Sequence, residues 1–417
     1  MVNYSKLTIK TKEQIKKYFK TKSDKLPAHI SRTLTEIGYG LLTSGNTLLT
    51  EIARTLNEKT NTKKIVERLR KNIADPNLQS VLEEEHLKRT SCLINKDSVI
   101  PVDDGEIIKK FGKNFEGLSK VHDGSTNTIE KGFPILSACL TDTSRSKIIP
   151  LLSRLYSYKE DSFYSRNFTR AIFFKKLIDT FGKLPTYVFD RGFSEHSNLQ
   201  RFQDVSKYVC RALDRRIKYK GKSYLLYEWK KKIKLKYGMI VESIENGKIK
   251  KKDTAFEVFD ISTKGLKLSA VVMQISGHGR CVLFTNQQQD KKSNYNFGKK
   301  IIKQYGARWA IEEEFRFEKQ EFKLENIRLR NLTALKTMVT VVMLTSAFVS
   351  NFSMIGRVAK NITPLILEQT KSVRDRCRFQ GYRFAEGIKI ILRRRNKPPY
   401  CWSNKKPKIQ QFFFIYE

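Results

Sequence analysis

Two short apolar runs in this chain each stop abruptly at an acid. Ser98–Val102 reads as a strand and meets Asp103 and Asp104; Thr186–Phe189, entered after Gly182 and Pro185, meets Asp190. Between them, Gly132–Leu140 and Lys147–Leu155 are further strand candidates separated by the turn-like Thr141–Ser146, and Asn167–Phe181 has helical periodicity. Strand, strand, strand, helix, strand is an α/β layout. Ligands of open α/β sheets gather where strands leave the sheet, which singles out Asp103 and Asp190. The competing reading for either is a turn or helix cap. Strand alternation would turn Asp104 to the face opposite Asp103, so the two compete for one position. Pro101 inside the first run suits an edge strand or a bulge better than a central strand.

The flanking regions have other textures. From residue 30 to 87 the pattern is helical, with apolar residues three and four apart in LLTEIARTL and in KKIVERLRKNI. The short polar break Asn57–Thr62 between them, followed by Lys63, Lys64, Arg68, Arg70 and Lys71, resembles a helix-turn-helix reading head; the alternative is a plain basic helical hairpin. Alternating stretches FEVFDIS, LSAVVMQI and RCVLFTN with basic links predict an antiparallel β insertion, and helical texture returns from Tyr295 to Glu325. Asn331–Ser350 is apolar on nearly all faces and is expected to be a buried helix. The tail, with RRRNKPPYCW and KKPK, reads as a basic surface element or arm. The expected regions are therefore 1–92, 93–212, 213–292, 293–360 and 361–417.

Composition decides the class of partner. Lys and Arg number 81 against 42 Asp and Glu in 417 residues, a formal charge of +39 spread along the whole length. A polyanion is the natural partner, nucleic acid ahead of an anionic membrane surface. The six cysteines are scattered singly and the five histidines lie far apart, without zinc-like spacing. SGHGR reads as a turn, not as a phosphate loop. The N-terminus lacks the apolar core of a signal peptide, and the greasiest stretch, Met338–Phe352, is too short to cross a bilayer, so an intracellular soluble protein without a membrane partner is expected.

Cleaving or joining a phosphodiester requires stabilisation of both the attacking and the leaving oxygen, which two divalent ions about 3.5–4 Å apart can supply. Magnesium takes oxygen ligands, so three carboxylates converging from separate segments suffice. The third comes from Glu312, Glu313 or Glu314. Projected on one continuous helix at about 100° per residue, Tyr305, Arg308, Glu312 and Lys319 fall within about 60° of one another, whereas Glu313 and Glu314 point elsewhere. A stripe of aromatic, guanidinium, carboxylate and ammonium groups suits a surface that binds phosphates and metal together; an ordinary solvated face is the alternative.

The spacing Tyr305, two residues, Arg308, three residues, Glu312, six residues, Lys319 resembles the Y-R-E-K signature of bacterial DDE transposases of the insertion-sequence-four family, which includes the cut-and-paste enzymes of transposons five and ten. VDDGEI at 102–107 and FDRGF at 189–193 resemble the segments around that family's two aspartates, and YVCR at 208–211 resembles a segment whose arginine, here Arg211, contacts DNA. The resemblance covers residues 95 to 350. It implies a ribonuclease H-like catalytic core interrupted by a β-rich insertion and preceded by a helical DNA-binding region. It also implies Asp103, Asp190 and Glu312 as catalytic ligands of two Mg²⁺ or Mn²⁺ ions, Asp103 being preferred to Asp104 because it leaves Ile107 at the family's apolar position four residues later. Arg211, Tyr305, Arg308 and Lys319, joined by Lys63, Lys64 and Arg68 of the N-terminal helices, are the expected DNA contacts. Double-stranded DNA (terminal inverted repeats and target) is the implied partner, a homodimer assembled on DNA the implied state, and the bacterial cytoplasm and its nucleoid the implied location. Relatives form a hairpin at the transposon end, and Trp229 is a candidate for the aromatic that stacks there. A catalytically inactive DNA-binding relative, or a ribonuclease H-like nuclease that never joins ends, are the alternative readings.

Overall fold

The structure, a computed structural model, describes residues 4–20, 26–124, 126–145, 147–245, 248–289, 293–370 and 379–394. The basic tail beyond residue 394, with RNKPPYCW and KKPK, lies outside the described residues. Five helices open the chain: α1 (Tyr4–Phe19), α2 (Ala28–Ser44), α3 (Leu49–Leu56), α4 (Thr62–Ile73) and α5 (Leu78–Ser91). The break between α3 and α4 starts at Asn57, which takes a left-handed backbone, and ends at Asn61, whose side chain accepts the Lys63 N–H and caps α4.

A core of strands and helices follows: β1 (Val99–Ile108), β2 (Ser119–Asp123), β3 (Thr128–Leu140), β4 (Ile149–Leu155), α6 (Arg166–Phe181), β5 (Thr186–Phe189), α7 (His196–Phe202) and β6 (Lys207–Arg211). β1 does not end at the acidic doublet, as expected, but runs on to Ile108, because β3 pairs antiparallel with it from Val102↔Ala138 to Ile108↔Gly132. What ends at the doublet is the parallel ladder to β5, whose last pair is Val102↔Phe189. Asp103 and Asp190 are the next residues on their respective strands. β1 is an interior strand, contrary to the expectation from Pro101, yet the antiparallel ladder is interrupted there. Val99 and Thr141 exchange both backbone hydrogen bonds; the next such pair would be Pro101 with Cys139, and proline has no N–H to give.

Side-chain alternation then sorts the faces. Ile100, Val102, Tyr187, Phe189, Tyr208 and Cys210 pack on the face covered by Phe173, Phe174 and Leu177 of α6. Val99, Val188 and Val209 pack on the other face, against Phe297 and Ile301. By the same period of two, Asp103, Asp190 and Arg211 belong to the second face and Asp104 to the first.

The β insertion comprises β7 (Arg216–Tyr219), β8 (Lys222–Leu225), α8 (Leu226–Lys232), β9 (Tyr237–Glu245), β10 (Lys248–Thr263), β11 (Leu266–Ile275) and β12 (Cys281–Thr285). It is not a separate sheet. β12 pairs with β6 through Leu283↔Arg211, Phe284↔Cys210 and Thr285↔Val209, which covers the hydrogen-bonding edge that β6 would otherwise expose. Among the described residues the strands form one mixed twelve-stranded sheet, ordered β2-β3-β1-β5-β6-β12-β11-β10-β7-β8 with β4 beside β3 and β9 beside β10.

The remaining helices are α9 (Asn294–Gly306), α10 (Trp309–Glu321), α11 (Leu332–Asn351), α12 (Arg357–Glu368) and α13 (Gly381–Arg393). The stretch expected as one helix from Tyr295 to Glu325 is thus two. At the junction Arg308 N–H bonds the Tyr305 carbonyl, Ala310 N–H that of Ala307, and Ile311 N–H that of Arg308, so three-residue hydrogen bonding tightens the backbone. At about 120° per residue such a turn breaks the angular count on which the single-face projection rested. The apolar run is longer than its polar residues suggested: Leu332–Met354 has the length and composition of a membrane span, but 89% of its most apolar eighteen-residue stretch is buried inside the protein, where it packs against β4 and the N-terminal helices.

α10 buries an unusual pair. Glu314 and Glu318, one turn apart, are both within the core beside Cys139, and no hydrogen bond of ordinary geometry reaches either carboxyl among the described residues. Burial raises both, Glu318 to about 8, and Glu314 is raised further by Glu318. A carboxyl whose folded value exceeds the unfolded 4.5 stabilises the fold fully below that pH and loses its contribution as pH climbs through the folded value. Glu318→Gln should therefore melt higher than the parent at pH 8.5, by several degrees, and show little advantage at pH 5; thermal denaturation across that range checks it. Equal melting differences at both pH values would mean that Glu318 is ionised throughout.

Candidate functional site

The α9–α10 junction delivers its side chains to the sheet face that carries Asp103 and Asp190. Tyr305, in the last turn of α9, donates its hydroxyl to Asp190 Oδ1 at 3.1 Å. Arg308, at the start of α10, forks: Nη1 lies 3.0 Å from Asp103 Oδ2 and Nη2 lies 2.7 Å from Glu312 Oε1. The Asp104 N–H donates to Asp103 Oδ1 at 2.9 Å. Three carboxylates from β1, the end of β5 and α10 thus lie in two neighbouring groups, Asp103 and Glu312 bridged by the Arg308 guanidinium and Asp190 held by the Tyr305 phenol. Side-chain exposure is 12% for Arg308, 21% for Asp103 and 32% for Glu312, so the cluster opens to solvent on the Glu312 side.

The electrostatics follow from that partial burial. Burial pushes Asp103 up to about 7; Arg308 opposes this, while Asp104 and Asp190 add to it. Burial also raises the Tyr305 phenol, with Asp190 adding to the rise. For Arg308 burial works against the charge, but Glu312 and Asp103 outweigh it and keep the guanidinium protonated. Among the described residues no group of three or more His, Cys, Asp or Glu side chains stands ready to hold a metal ion. The donor chemistry fits a hard divalent cation, since every candidate ligand is a carboxylate. In this arrangement, however, the guanidinium bridges two of the three.

Asp104 faces the other way, as alternation requires. Its Oδ2 pairs with Arg170 of α6, and Arg166 stands at 3.6 Å. Arg211 follows Cys210, the register partner of Phe189, so it lies beside Asp190 on the next strand. It is exposed and lines a cavity of about 920 Å³ shared with Tyr305, Arg308, Trp309, Arg280 and Lys303. Trp309 is half-exposed there, with the Arg308 guanidinium 5.4 Å from its ring.

Other expected contacts lie elsewhere. Lys319, two turns beyond Glu312 or about 10 Å along α10, pairs with Glu325 at 3.0 Å and does not touch the cluster. Lys63 and Lys64 are exposed in the first turn of α4. Arg68 is committed to a structural network, 2.7 Å from Glu58 and 3.1 Å from the buried Glu36, which Arg32 also holds. Trp229 is buried between Tyr219 and Phe259, with ring centroids 5.5 and 5.1 Å away, and no face remains for a base to stack on. Sequence reading missed Arg170; the signal was available, because an acid turned to the buried helix face of a sheet needs a cation there.

No protein-family model matches this chain, and no curated protein is similar to it. Among solved structures, the cryo-EM structure of a piggyBac transposase synaptic complex with hairpin DNA is a distant neighbour, at 10% identity and a TM-score of 0.39, the alignment covering 96% of this chain and 83% of that one.

Removing Arg308 would leave Asp103 and Glu312 without their shared cation. Arg308→Met should lower stability by about 2–3 kcal/mol, below the figure for a fully buried pair because Glu312 is one-third exposed. Added Mg²⁺ should restore part of it. Chemical denaturation with and without Mg²⁺ measures both; an unchanged midpoint would mean that the fork carries no net stability.

Proposed function

We propose that this chain is a DNA transposase of the DDE type, which binds the terminal inverted repeats of an insertion sequence and catalyses strand cleavage and strand transfer, by a cut-and-paste route. The observation that carries the reading is the placing of Asp103, Asp190 and Glu312, from three segments distant in sequence, around the α9–α10 junction, where Arg308 bridges Asp103 and Glu312 and Tyr305 holds Asp190. A ribonuclease H-like core is supported by the strand order β4-β3-β1-β5-β6, with the first three antiparallel and the last two parallel. The distribution of +39 charges supports a DNA partner. The homodimer on DNA, the division into regions 1–92, 93–212, 213–292, 293–360 and 361–417, and the insertion-sequence-four family itself belong to the same proposal.

Asp103, Asp190 and Glu312 are the side chains that would hold two Mg²⁺ or Mn²⁺ ions, which when bound supply charge stabilisation at the attacking and leaving oxygens. The chain's other groups position. Tyr305 fixes the Asp190 carboxylate through its hydroxyl. Arg308 has a planar fork suited to a phosphate as well as to a carboxylate, and Arg211 lies one strand away on the same face. In cleavage, water attacks the scissile phosphorus and the 3′ oxygen leaves with a proton; in transfer, that 3′ hydroxyl attacks a second phosphodiester and one P–O bond replaces another. Positioning and electrostatics supply most of such a rate. Lys63, Lys64 and Lys319 serve as phosphate contacts away from the reacting centre.

Asp103→Asn, Asp190→Asn and Glu312→Gln should each abolish Mg²⁺-dependent cleavage and joining of DNA that carries the inverted repeats flanking the coding sequence, while DNA binding persists. Cleavage without joining by the parent protein would identify a nuclease, and binding without either an inactive relative. Because Asp103 must lose its proton to serve as a ligand, Mn²⁺ affinity should strengthen as pH rises from 6 to 8 through its value of about 7. A flat profile in calorimetric titrations would remove Asp103 from the ligand set.

A further inference from the structure

The ladder that aligns β1 with β5 stops at Val102↔Phe189, one residue short of both aspartates. β5 itself ends at Phe189, and after Asp190 the chain enters a single 3₁₀ turn, Arg191–Phe193. Backbone pairing therefore does not set the spacing between Asp103 and Asp190. Directly behind them, on the opposite face of the sheet, one buried side chain touches both strand ends. Arg170 of α6 is 5% exposed; its Nη2 pairs with Asp104 Oδ2, and its Nη1 donates to the Gly192 carbonyl at 2.9 Å. Its guanidinium carbon lies 4.1 Å from the centroid of Phe193 in the same turn. Asp104 is coupled in turn to Asp103, whose Oδ1 accepts the Asp104 N–H.

We propose that Arg170, through Asp104 on one side and the Gly192 carbonyl on the other, is a positioning residue that fixes the separation of Asp103 and Asp190. The inference rests on the site assignment above. A planar guanidinium suits this role, because two nitrogens at fixed spacing hold a carboxylate on one strand and a carbonyl on the turn of the next. Arg166, half-exposed, stands 3.6 Å from Asp104 at the outer side of the same carboxylate, whereas the bond to the turn belongs to Arg170. The two acids of the doublet thus have separate duties, Asp103 as ligand and Asp104 as the anchor of the clamp.

The test is calorimetric titration of the full chain with Mn²⁺, which reads the site without catalysis. Arg170→Met and Asp104→Asn should each weaken Mn²⁺ binding by about 10- to 100-fold, the usual effect of groups that orient metal ligands. The double variant should be no more than about threefold weaker than the poorer single variant, because the two act as one unit. Arg170→Lys, which keeps the charge without the fork, should fall between parent and Arg170→Met, and it carries the test if the methionine variant does not fold. DNA affinity should not change. If Arg170→Met and Asp104→Asn melt lower but bind Mn²⁺ as the parent does, the pair is structural only and the proposal is overturned. Weakening by Asp104→Asn alone would instead make Asp104 a ligand and also overturn it. Asp103→Asn separates the two levels: if it too leaves Mn²⁺ affinity intact, the site assignment fails, whereas if it alone destroys binding, only the role of Arg170 fails.

Discussion

The arrangement depends on four parallel backbone pairs, Val99↔Thr186 to Val102↔Phe189. They bring two segments almost ninety residues apart into register inside a sheet buried on both faces. Parity does the rest, because Val99 and Val188 share one face and Ile100 and Phe189 the other. A slip of one residue in either strand would turn one aspartate to the face beneath α6, away from Tyr305 and Arg308. The hydrophobic pattern thus specifies which face two carboxylates share, although it does not contain them.

Much of this is legible in the sequence. β5 has the predicted bounds, and alternation foretells that Asp103 and Asp104 face opposite ways, while which of them shares a face with Asp190 depends on the register of β1 against β5. Glu312 is singled out by a helical projection whose geometry the structure corrects: the helix breaks at Ala307, so Tyr305, Arg308 and Glu312 do not share one face of one helix. They meet because the junction folds them onto the same strand ends. Arg68 and Trp229 fail for a common reason. Basic and aromatic residues in a positively charged chain invite assignment to DNA, but whether a side chain is free depends on neighbours distant in sequence, such as Glu36 for Arg68 and Phe259 for Trp229. The long apolar helix is recognisable as core and nearly in its bounds, Leu332–Asn351 against the expected Asn331–Ser350, because a hydroxyl such as that of Thr345 bonds the preceding turn and does not interrupt it.

The insertion is legible as β structure but not as part of the same sheet. Period-two patterning says which residues face inward and nothing about which strand lies next door. The continuation through β12 and β6 has a mechanical result: Arg211 stands between core and insertion, and α9 packs across both, with Gly298 so close to Phe256 that a β-carbon there would lie 2.3 Å from the ring. The helix that carries Tyr305 is therefore braced by the insertion as well as by the core.

The Arg308 fork partly neutralises the Asp103–Glu312 pair. Carboxylates brought together without a cation would repel one another; here a tethered guanidinium already offsets part of that repulsion. Any divalent ion must therefore enter by exchange rather than by filling a vacancy, and the displaced guanidinium needs a new anion.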